Sequence, residues 1–300
     1  MRNTMALDED NTGSDIVTLT PKEARALAKS KTLYWDLSGL RTLTPEVAKA
    51  LAKYRGTLYL SNLADLTPET AEVLAEYRVL PELPGLTNLT PEVAAALSKH
   101  KGRLSLNGLT SISDEAIEAL AKHSGDLSLC GLTTLSDAAI EALAKHSGDL
   151  SLNGLTGLSD KAAEALAKHS GALSLGLTTL SDAAAEALAK HSGGGGLFLD
   201  GLTTLSDAAA EALGKHSGVG GLFLGGLTTL SDATVAALTK HFDVAELIAD
   251  GRIEFTSMKA LKLLFPNLDS LLARSGHDFD DEEVDDEEND EDGFDDEENL

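Results

Sequence analysis

One short pattern of leucines, glycines and alanines recurs along most of this chain and constrains its fold more than any other feature. Each copy ends in a Lys-His pair, and successive pairs lie 23, 23, 23, 22, 25 and 25 residues apart. The histidines of these pairs are His100, His123, His146, His169, His191, His216 and His241. A period of this length is typical of a solenoid, in which stacked copies bury a core that no single copy buries alone.

The unit from Asp149 to Gly171 begins with a predicted strand. Leu150 and Leu152 alternate with Ser151, which places the leucines on one face of the strand and the polar side chain on the other. Gly154 follows at the point where the chain must turn tightly toward a helix. The pattern therefore predicts a half-buried strand and a turn in each unit.

The second half of the unit is typical of a short helix. Ser159 is a favourable N-cap, Asp160 places negative charge at the positive end of the helix dipole, and small apolar residues fill positions 162–167. Gly171 stands where a left-handed C-terminal cap would end the helix. Earlier units begin their helices with Thr-Pro-Glu, in which threonine caps the helix and proline takes the first helical position, at Thr44, Thr67 and Thr90.

The Leu-x-Leu-x-x-Leu-x-x-Leu segment of each unit resembles the leucine-rich repeats of bacterial proteins, in their short form. The resemblance covers roughly Thr18 to Lys240. It implies an α/β solenoid with parallel strands on the concave face and short helices on the convex face. Such repeats carry Asn or Cys three residues after the second strand leucine, but this chain has leucine there, at Leu63, Leu86, Leu109, Leu132, Leu155, Leu202 and Leu227. We therefore expect the usual ladder of polar side chains to be missing.

Four segments are predicted along the chain. Residues 1–14 are expected to be disordered, residues 15–242 to form the solenoid, and residues 243–277 to cap its open end. In the first unit, we expect a strand over residues 15–19 and then a helix that starts at Pro21. From Asp278 to Leu300, 16 of 23 residues are Asp or Glu and none is Lys or Arg, which predicts a disordered acidic tail.

The charge of the chain excludes some classes of partner. The net charge is −25, of which the acidic tail carries 16 negative charges and the rest of the chain carries −9. A phosphate backbone or an anionic membrane would be repelled, so we expect no nucleic acid and no membrane as partner, and basic proteins are favoured.

The cysteine content and the distribution of apolar residues indicate the redox state and the compartment of the protein. Cys130 is the single cysteine, so no disulfide framework is expected within the chain, and we interpret Cys130 as a structural thiol. No apolar stretch of about 18 residues or more is present, and the first residues do not resemble a signal peptide. We therefore predict a cytoplasmic protein.

The recurring histidines are the strongest candidates for chemistry, as a metal site or a pH switch. Each one follows a predicted helix, where the helix dipole favours a partly charged imidazole. Packed helices lie about 8–10 Å apart, which is too far for neighbouring histidines to share a zinc ion. The serines and aspartates recur as helix caps, and motifs for phosphate, zinc or dinucleotide binding are not found. We expect no metal, no cofactor and no enzymatic activity.

The residue between the two strand leucines changes most from unit to unit, and we interpret this column as the binding face. Its middle consists of serines, whereas its ends are aromatic or acidic. The predicted partner-binding residues are Tyr34, Asp36, Tyr59, Glu82, Phe198 and Phe223. The two phenylalanines have a second explanation, in which their rings cover the glycine-rich turns beside them. Trp35 takes the place of a strand leucine, and we expect it in the core.

The acidic tail offers a second candidate site. It contains three Asp-Asp-Glu-Glu blocks, represented by Asp280, Glu283, Asp285, Glu288, Asp295 and Glu298, with Phe279, Val284 and Phe294 before them. It is either a docking segment for a basic partner or a solubility tail. Repeats followed by an acidic tail are similar, in layout alone, to the acidic leucine-rich nuclear phosphoproteins, which act on histones and other basic proteins.

Three functions remain open from the sequence. The first is a non-enzymatic scaffold that binds a protein partner on the concave strand face. The second is an acidic-tail chaperone or nucleic-acid mimic that binds basic proteins. The third is a structural protein that self-assembles through its repeats.

Overall fold

The computed structural model describes residues 16–238 and the pair 254–255, in which short helices and strands alternate. The helices are α1 (Pro21–Leu27), α2 (Pro45–Leu51), α3 (Pro68–Ala75), α4 (Pro91–Leu97), α5 (Asp114–Leu120), α6 (Asp137–Leu143), α7 (Asp160–Leu166), α8 (Asp182–Leu188), α9 (Asp207–Leu213) and α10 (Asp232–Leu238). The strands are β1 (Tyr34–Asp36), β2 (Thr57–Tyr59), β3 (Leu104–Ser105), β4 (Leu127–Ser128), β5 (Leu150–Leu152), β6 (Leu173–Leu175), β7 (Leu197–Phe198), β8 (Leu222–Phe223), β9 (Thr229–Leu230) and β10 (Glu254–Phe255).

The strands pair in parallel, and most pair with the equivalent strand of the next unit. Strands β3 to β8 form a six-stranded sheet in sequence order, β1 pairs with β2, and β9 pairs with β10. Equivalent residues face each other, so that Leu150 pairs with Leu173 and Ser151 with Ser174. The described part of the chain is thus built from repeated strand–helix units with a parallel six-stranded sheet, which is compatible with a repeat solenoid.

The core lies between the strand layer and the helix layer and consists mainly of leucine and alanine. Leu152 from β5, and Ala163 and Leu166 from α7, are fully buried. Small alanine side chains let neighbouring helices pack closely, while each buried leucine contributes about 1.5–3 kcal/mol from removal of apolar surface from water. Trp35 is also buried and donates its indole N–H to Ser30 Oγ at 2.8 Å, which confirms its predicted place in the core.

Both predicted ways of starting a helix are confirmed. Ser159 Oγ accepts a hydrogen bond from the Ala162 N–H at 3.0 Å, and Thr44 Oγ1 accepts one from the Val47 N–H at 3.4 Å. The serines also link units, since Ser159 Oγ donates to Asp137 Oδ1 at 2.6 Å. One serine therefore caps its own helix and ties it to the preceding helix.

The predicted role of Gly171 as a left-handed helix cap is wrong. The C-cap of α7 is Ala167, in the right-handed region, and positive φ angles occur among the described glycines at Gly196 and Gly221. A Cβ atom placed on Gly171 would lie 2.3 Å from the carbonyl oxygen of Gly148, one unit earlier. Glycine is required at this position because successive turns of the chain touch there.

The usual polar ladder is missing at its expected positions, which hold buried leucines such as Leu109 and Leu155. In some units, however, a polar side chain two positions earlier makes a bond of the same kind. Asn107 Oδ1 accepts a hydrogen bond from the Cys130 N–H at 2.9 Å, and Asp200 Oδ1 accepts one from the Gly225 N–H at 2.8 Å. These residues directly follow the second strand leucine of their units. Polar side chains therefore do satisfy backbone groups of the next unit.

The first unit differs from its prediction. Helix α1 is present, with Thr20 Oγ1 accepting from the Glu23 N–H at 3.3 Å and the Glu23 carboxylate accepting from the Thr20 N–H at 2.8 Å. The carboxylate also accepts a hydrogen bond from the Thr20 hydroxyl at 2.7 Å. This bond, together with the one from the Thr20 N–H, holds the pKa of Glu23 below its usual value. Residues 16–19 do not form the predicted strand. In the next unit, eight residues lie between the end of β1 at Asp36 and the start of α2 at Pro45, whereas residues 16–19 are followed by α1 almost at once.

The predicted ends of the chain lie mostly outside the described residues. This applies to the N-terminal segment 1–14, to the cap 243–277 except β10, and to the acidic tail 278–300. The boundaries of the four segments therefore stay predictions.

Candidate functional site

The strand face is the column of side chains that stand between the two core leucines of each unit. Its members are Asp36, Tyr59, Glu82, Ser105, Ser128, Ser151, Ser174, Phe198 and Phe223. Exposure varies strongly along this column, from the buried Ser128 to the exposed Tyr59 and Phe223. The face therefore consists of two bulky ends and a polar middle.

Two tyrosines, Tyr34 and Tyr59, form the tyrosine pair at the N-terminal end. They lie on the paired strands β1 and β2, with ring centroids 6.0 Å apart and ring planes at 72°. Tyr34 is 51% exposed and Tyr59 is 47% exposed. This edge-to-face arrangement fixes both rings against each other while it leaves much of their surface open to solvent.

Asp36 faces Tyr59 across the same strand pair but is occupied by its own turn. Its Oδ1 accepts a hydrogen bond from the Ser38 N–H at 2.9 Å and another from the Ser38 hydroxyl. The side chain is half-buried. Of the predicted binding residues, Asp36 therefore has a clear local role in shaping the chain after β1.

The parallel sheet is interrupted next to the tyrosine pair. Strand β2 pairs with β1 and strand β3 pairs with β4, while the intervening residues 80–83 form no strand. Pro81 occupies the position of a core leucine there and has no N–H to donate to a neighbouring strand. The expectation that Glu82 lies on a strand is thus wrong, although its side chain is exposed.

An open groove of about 1430 Å³ lies at this interruption. Its walls come from the helix-to-strand segments of three successive units, residues 52–59, 77–82 and 100–105. Tyr59 and Glu82 both line it, so the structure brings two of the predicted binding residues into one site. Tyr77 closes the inner side, with its hydroxyl donating to the Ala48 carbonyl at 2.6 Å, and burial raises the pKa of this phenol.

The groove is basic although the chain is strongly acidic. Arg55, Arg78, Arg103 and Lys53 line it, and all four side chains are exposed. Glu82 is the carboxylate among the lining residues. The groove therefore presents guanidinium groups and aromatic rings side by side, a combination that suits carboxylate-rich ligands.

This groove was not predicted, although the sequence holds two signals for it. Pro81 and Pro84 depart from the repeat where a strand is expected, and Arg55 and Arg78 occupy equivalent positions one period apart. Each signal alone indicates a change within one unit. The groove itself is formed by three units at the interruption of the sheet, and the pattern within one unit does not show how three units are placed.

At the other end of the strand face, Phe198 and Phe223 form the phenylalanine pair. Their rings stack with centroids 4.3 Å apart and planes at 6°, and Phe223 is 44% exposed. The Phe223 ring also lies 3.8 Å from the Cβ position of Gly221. The stacked, partly exposed rings are compatible with partner binding, and the contact with Gly221 is compatible with the covering of a glycine-rich turn. Both interpretations of the pair therefore stay open.

The middle of the strand face is engaged in bonds between units. Ser128 Oγ donates to Asn107 Oδ1 at 2.8 Å, and Ser174 Oγ donates to Asn153 Oδ1 at 2.6 Å. Cys130 lies between Ser128 and Ser151. Burial opposes ionisation of this thiol, but the hydrogen bonds of both serines and of the Asn153 backbone, with the charge of Arg103, together keep the pKa of Cys130 below its usual value.

The histidines form a buried column instead of a charged series at helix ends. The rings of His100, His123, His146, His169, His191 and His216 are at most 3% exposed. Neighbouring rings are nearly parallel, with centroids 6.0–6.4 Å apart. This spacing is shorter than the expected helix separation. His241 lies outside the described residues.

Burial disfavours the charged form of three histidines in the column. It lowers the pKa of His146, and the imidazoles of His169 and His123 lower that pKa further. Burial likewise lowers the pKa of His169 and His191. For these three residues the expectation of a partly charged imidazole is wrong, because loss of solvation outweighs the helix dipole.

Backbone carbonyl groups surround the rings. His123 Nε2 lies 2.9 Å from the Gly102 oxygen and its Nδ1 lies 3.2 Å from the Ser98 oxygen. The tautomer of the ring decides which nitrogen donates to its carbonyl group. The column thus joins the helix ends of successive units within the core.

The repeated serine, histidine and aspartate side chains do not converge. The serines cap helix N-termini and donate to aspartates, as Ser159 does to Asp137, while the histidines follow the helix C-termini, as His169 does after α7. A seven-residue helix is about 10 Å long, which separates the two groups beyond hydrogen-bond reach. Among residues 16–238 and 254–255, no three His, Cys, Asp or Glu side chains are placed to hold a metal ion.

Comparison with protein families and with curated protein sequences identifies no relative. No protein-family description matches this chain, and no curated protein matches it in sequence. In the described ranges, no helix is long and apolar enough to cross a lipid bilayer. The acidic residues Asp280, Glu283, Asp285, Glu288, Asp295 and Glu298 lie outside the described residues.

Proposed function

We propose that this chain is a leucine-rich-repeat type of protein that acts as a non-enzymatic scaffold and holds a protein partner on its strand face. The observation that supports this most is the exposed tyrosine pair, Tyr34 and Tyr59, beside the open groove. The proposal places the main contact at the N-terminal units. A cytoplasmic location stays a prediction.

The aromatic content of the chain supports this choice of surface. The core is built from leucine and alanine, and four of the seven aromatic residues in 16–238 belong to the tyrosine and phenylalanine pairs. Rigid aromatic side chains lose little conformational entropy on binding and often dominate the binding energy of protein interfaces. Because the leucine and alanine core does not require these four rings, contact with a partner best explains their presence.

The tyrosine pair supports the proposal better than the phenylalanine pair does. Phe223 covers Gly221 and so has a structural reason for its position. Tyr34 and Tyr59 contact each other and leave about half of their side-chain surface exposed. A hydroxyl on each ring also lets it bond to a polar partner surface after burial of the ring.

Affinity capture with matched variants tests the proposal. The full chain, the variant Tyr34→Ala/Tyr59→Ala and the control Val17→Ala/Val219→Ala are used side by side to capture proteins from a native lysate. The control removes exposed apolar side chains outside the strand face, since Val17 is 62% and Val219 is 91% exposed. The partner retained by the full chain and the control is then purified, and its Kd is measured for each form.

The expected result is a Kd at least about tenfold weaker for the tyrosine variant, with the thermal midpoint unchanged. An equal Kd for all three forms would contradict the proposal. A chain that ends at His277 serves as a further arm. If it loses the partner while the tyrosine variant keeps it, the acidic-tail function replaces the scaffold.

A further inference from the structure

The arginines of the groove form no ion pair within the described part of the chain. Five arginines lie in residues 16–238, and three of them, Arg55, Arg78 and Arg103, line the groove. The ion pairs among the described residues all use lysine, as in Lys99–Glu72, Lys161–Glu141 and Lys215–Glu211. Three exposed guanidinium groups around one concave space therefore remain available for an external carboxylate.

The chemistry of the groove defines the ligand class. Guanidinium groups bind carboxylates with two parallel hydrogen bonds, and the exposed ring of Tyr59 stands beside them. An extended peptide that alternates acidic blocks with aromatic residues matches both features.

The chain itself contains such a peptide. Residues 278–300 carry 16 acidic side chains and no basic one, with Phe279 and Phe294 each followed by an Asp-Asp-Glu-Glu block. We infer that this acidic segment docks into the groove of the same molecule, its carboxylates on Arg55, Arg78 and Arg103. Docking of this kind requires no partner protein and is separate from the proposed function.

The length of the chain permits this contact. Seven unit steps separate Tyr59 from Phe223, and strands lie about 4.8 Å apart, so the groove is about 35 Å from the last unit of the six-stranded sheet. Strand β10 pairs with β9, so the reach is set by the 22 residues 256–277 that follow it, which span up to about 73 Å when extended. The acidic segment thus reaches the groove, and its attachment raises its effective concentration there to roughly the millimolar range.

Carbodiimide cross-linking of the full chain tests the docking, because it joins carboxylates to lysine amines in direct contact. Lys53 lines the groove, while Lys145 and Lys168 occupy the equivalent position of units without a groove. An equal mixture of unlabelled and ¹⁵N-labelled chain separates links within a molecule from links between molecules. Linked peptides are identified and quantified by mass spectrometry at low ionic strength.

We expect links from residues 278–300 to Lys53, within one molecule, to exceed those to Lys145 and Lys168 by roughly tenfold. The charge-reversal variant Arg55→Glu/Arg78→Glu/Arg103→Glu should remove this preference. The matched variant Lys22→Glu/Lys122→Glu/Lys190→Glu changes the same charge at exposed positions outside the groove. It leaves Lys145 and Lys168 as the reference and should keep the preference for Lys53.

Two results would overturn the inference. The first is an even distribution of links over the exposed lysines in the unaltered chain. The second is a set of Lys53 links that joins only different molecules, which would assign the groove to a second copy. A further variant, with the acidic side chains of 278–300 changed to their amides, leaves the groove intact and must also lose the Lys53 links.

Discussion

At the scale of single residues, the glycines mark the places where successive turns of the chain touch. A Cβ atom on Gly148 would lie 2.3 Å from the carbonyl oxygen of Gly125, whereas a Cβ atom on Gly157 would meet nothing within 4 Å. Neither glycine has a positive φ angle. Neither position therefore needs glycine for its backbone conformation. Gly148 differs from Gly157 in that a side chain there would clash with a neighbouring turn.

We expect Gly148→Ala to lower the free energy of unfolding by about 1–3 kcal/mol, because the new methyl group forces two backbone segments apart. Gly157→Ala serves as the control and should be neutral or stabilise by up to about 1 kcal/mol, since alanine restricts the unfolded chain. Urea unfolding followed by circular dichroism measures both. Equal effects of the two substitutions would show that close contact between turns does not require the glycine.

The histidine column links stability to pH. Burial lowers the pKa of His146, His169 and His191 below the ordinary value of 6.5. The unfolded chain therefore binds protons at a higher pH than the folded chain does. The stability that the neutral column provides is complete above about pH 6.5 and decreases as the pH falls below that value.

We expect each of these histidines to reduce the free energy of unfolding by up to about 1.4 kcal/mol per pH unit below about pH 6.5. In His169→Gln, which lacks one titrating group, the loss of stability from about pH 7.5 to about pH 5.5 should be smaller than in the unaltered chain. Glu141→Gln is the control, because its exposed carboxyl has a lowered pKa and does not titrate in this range. If His169→Gln loses as much stability as the unaltered chain, the column is not the cause.

At the scale of the helix or strand, the elements that follow from local sequence were predictable. The helix starts at Ser159 and Thr44 depend on a side chain that bonds to an N–H three residues later, so the sequence contains all the information they need. The alternation of leucines around Ser151 likewise places strand β5. These features recur in each unit, which makes them easy to recognise.

The elements that depend on neighbouring units were not predictable in the same way. The role of Gly171 is set by Gly148, which is 23 residues earlier. The expected spacing of the histidine rings was too large because it assumed the separation of helix axes, whereas the rings lie beside the turns between helix and strand, as His123 does beside Gly102. The groove at Pro81 required the positions of three units at once.

At the scale of the whole molecule, contacts between neighbouring units hold the described chain together. The six strands β3 to β8 pair in sequence order, and Leu152 is fully buried near the middle of this series. In such an array, the free energy of unfolding is close to a sum of one contribution from each unit and one from each contact between neighbouring units. Damage to one unit should therefore spread along the array in both directions and weaken with distance.

Leu152→Ala tests this behaviour, because it removes a buried side chain at a cost of about 2–5 kcal/mol without changing either end of the array. Hydrogen exchange measured by mass spectrometry should show the largest loss of protection in β5 and its neighbours β4 and β6, and a smaller loss in β3 and β8. Leu33→Ala, at a side chain that is 86% exposed, should change protection at no strand. A uniform loss across all strands in Leu152→Ala would instead mean that the array unfolds as one unit, so that contacts between neighbours are strong enough to couple β3 to β8 completely.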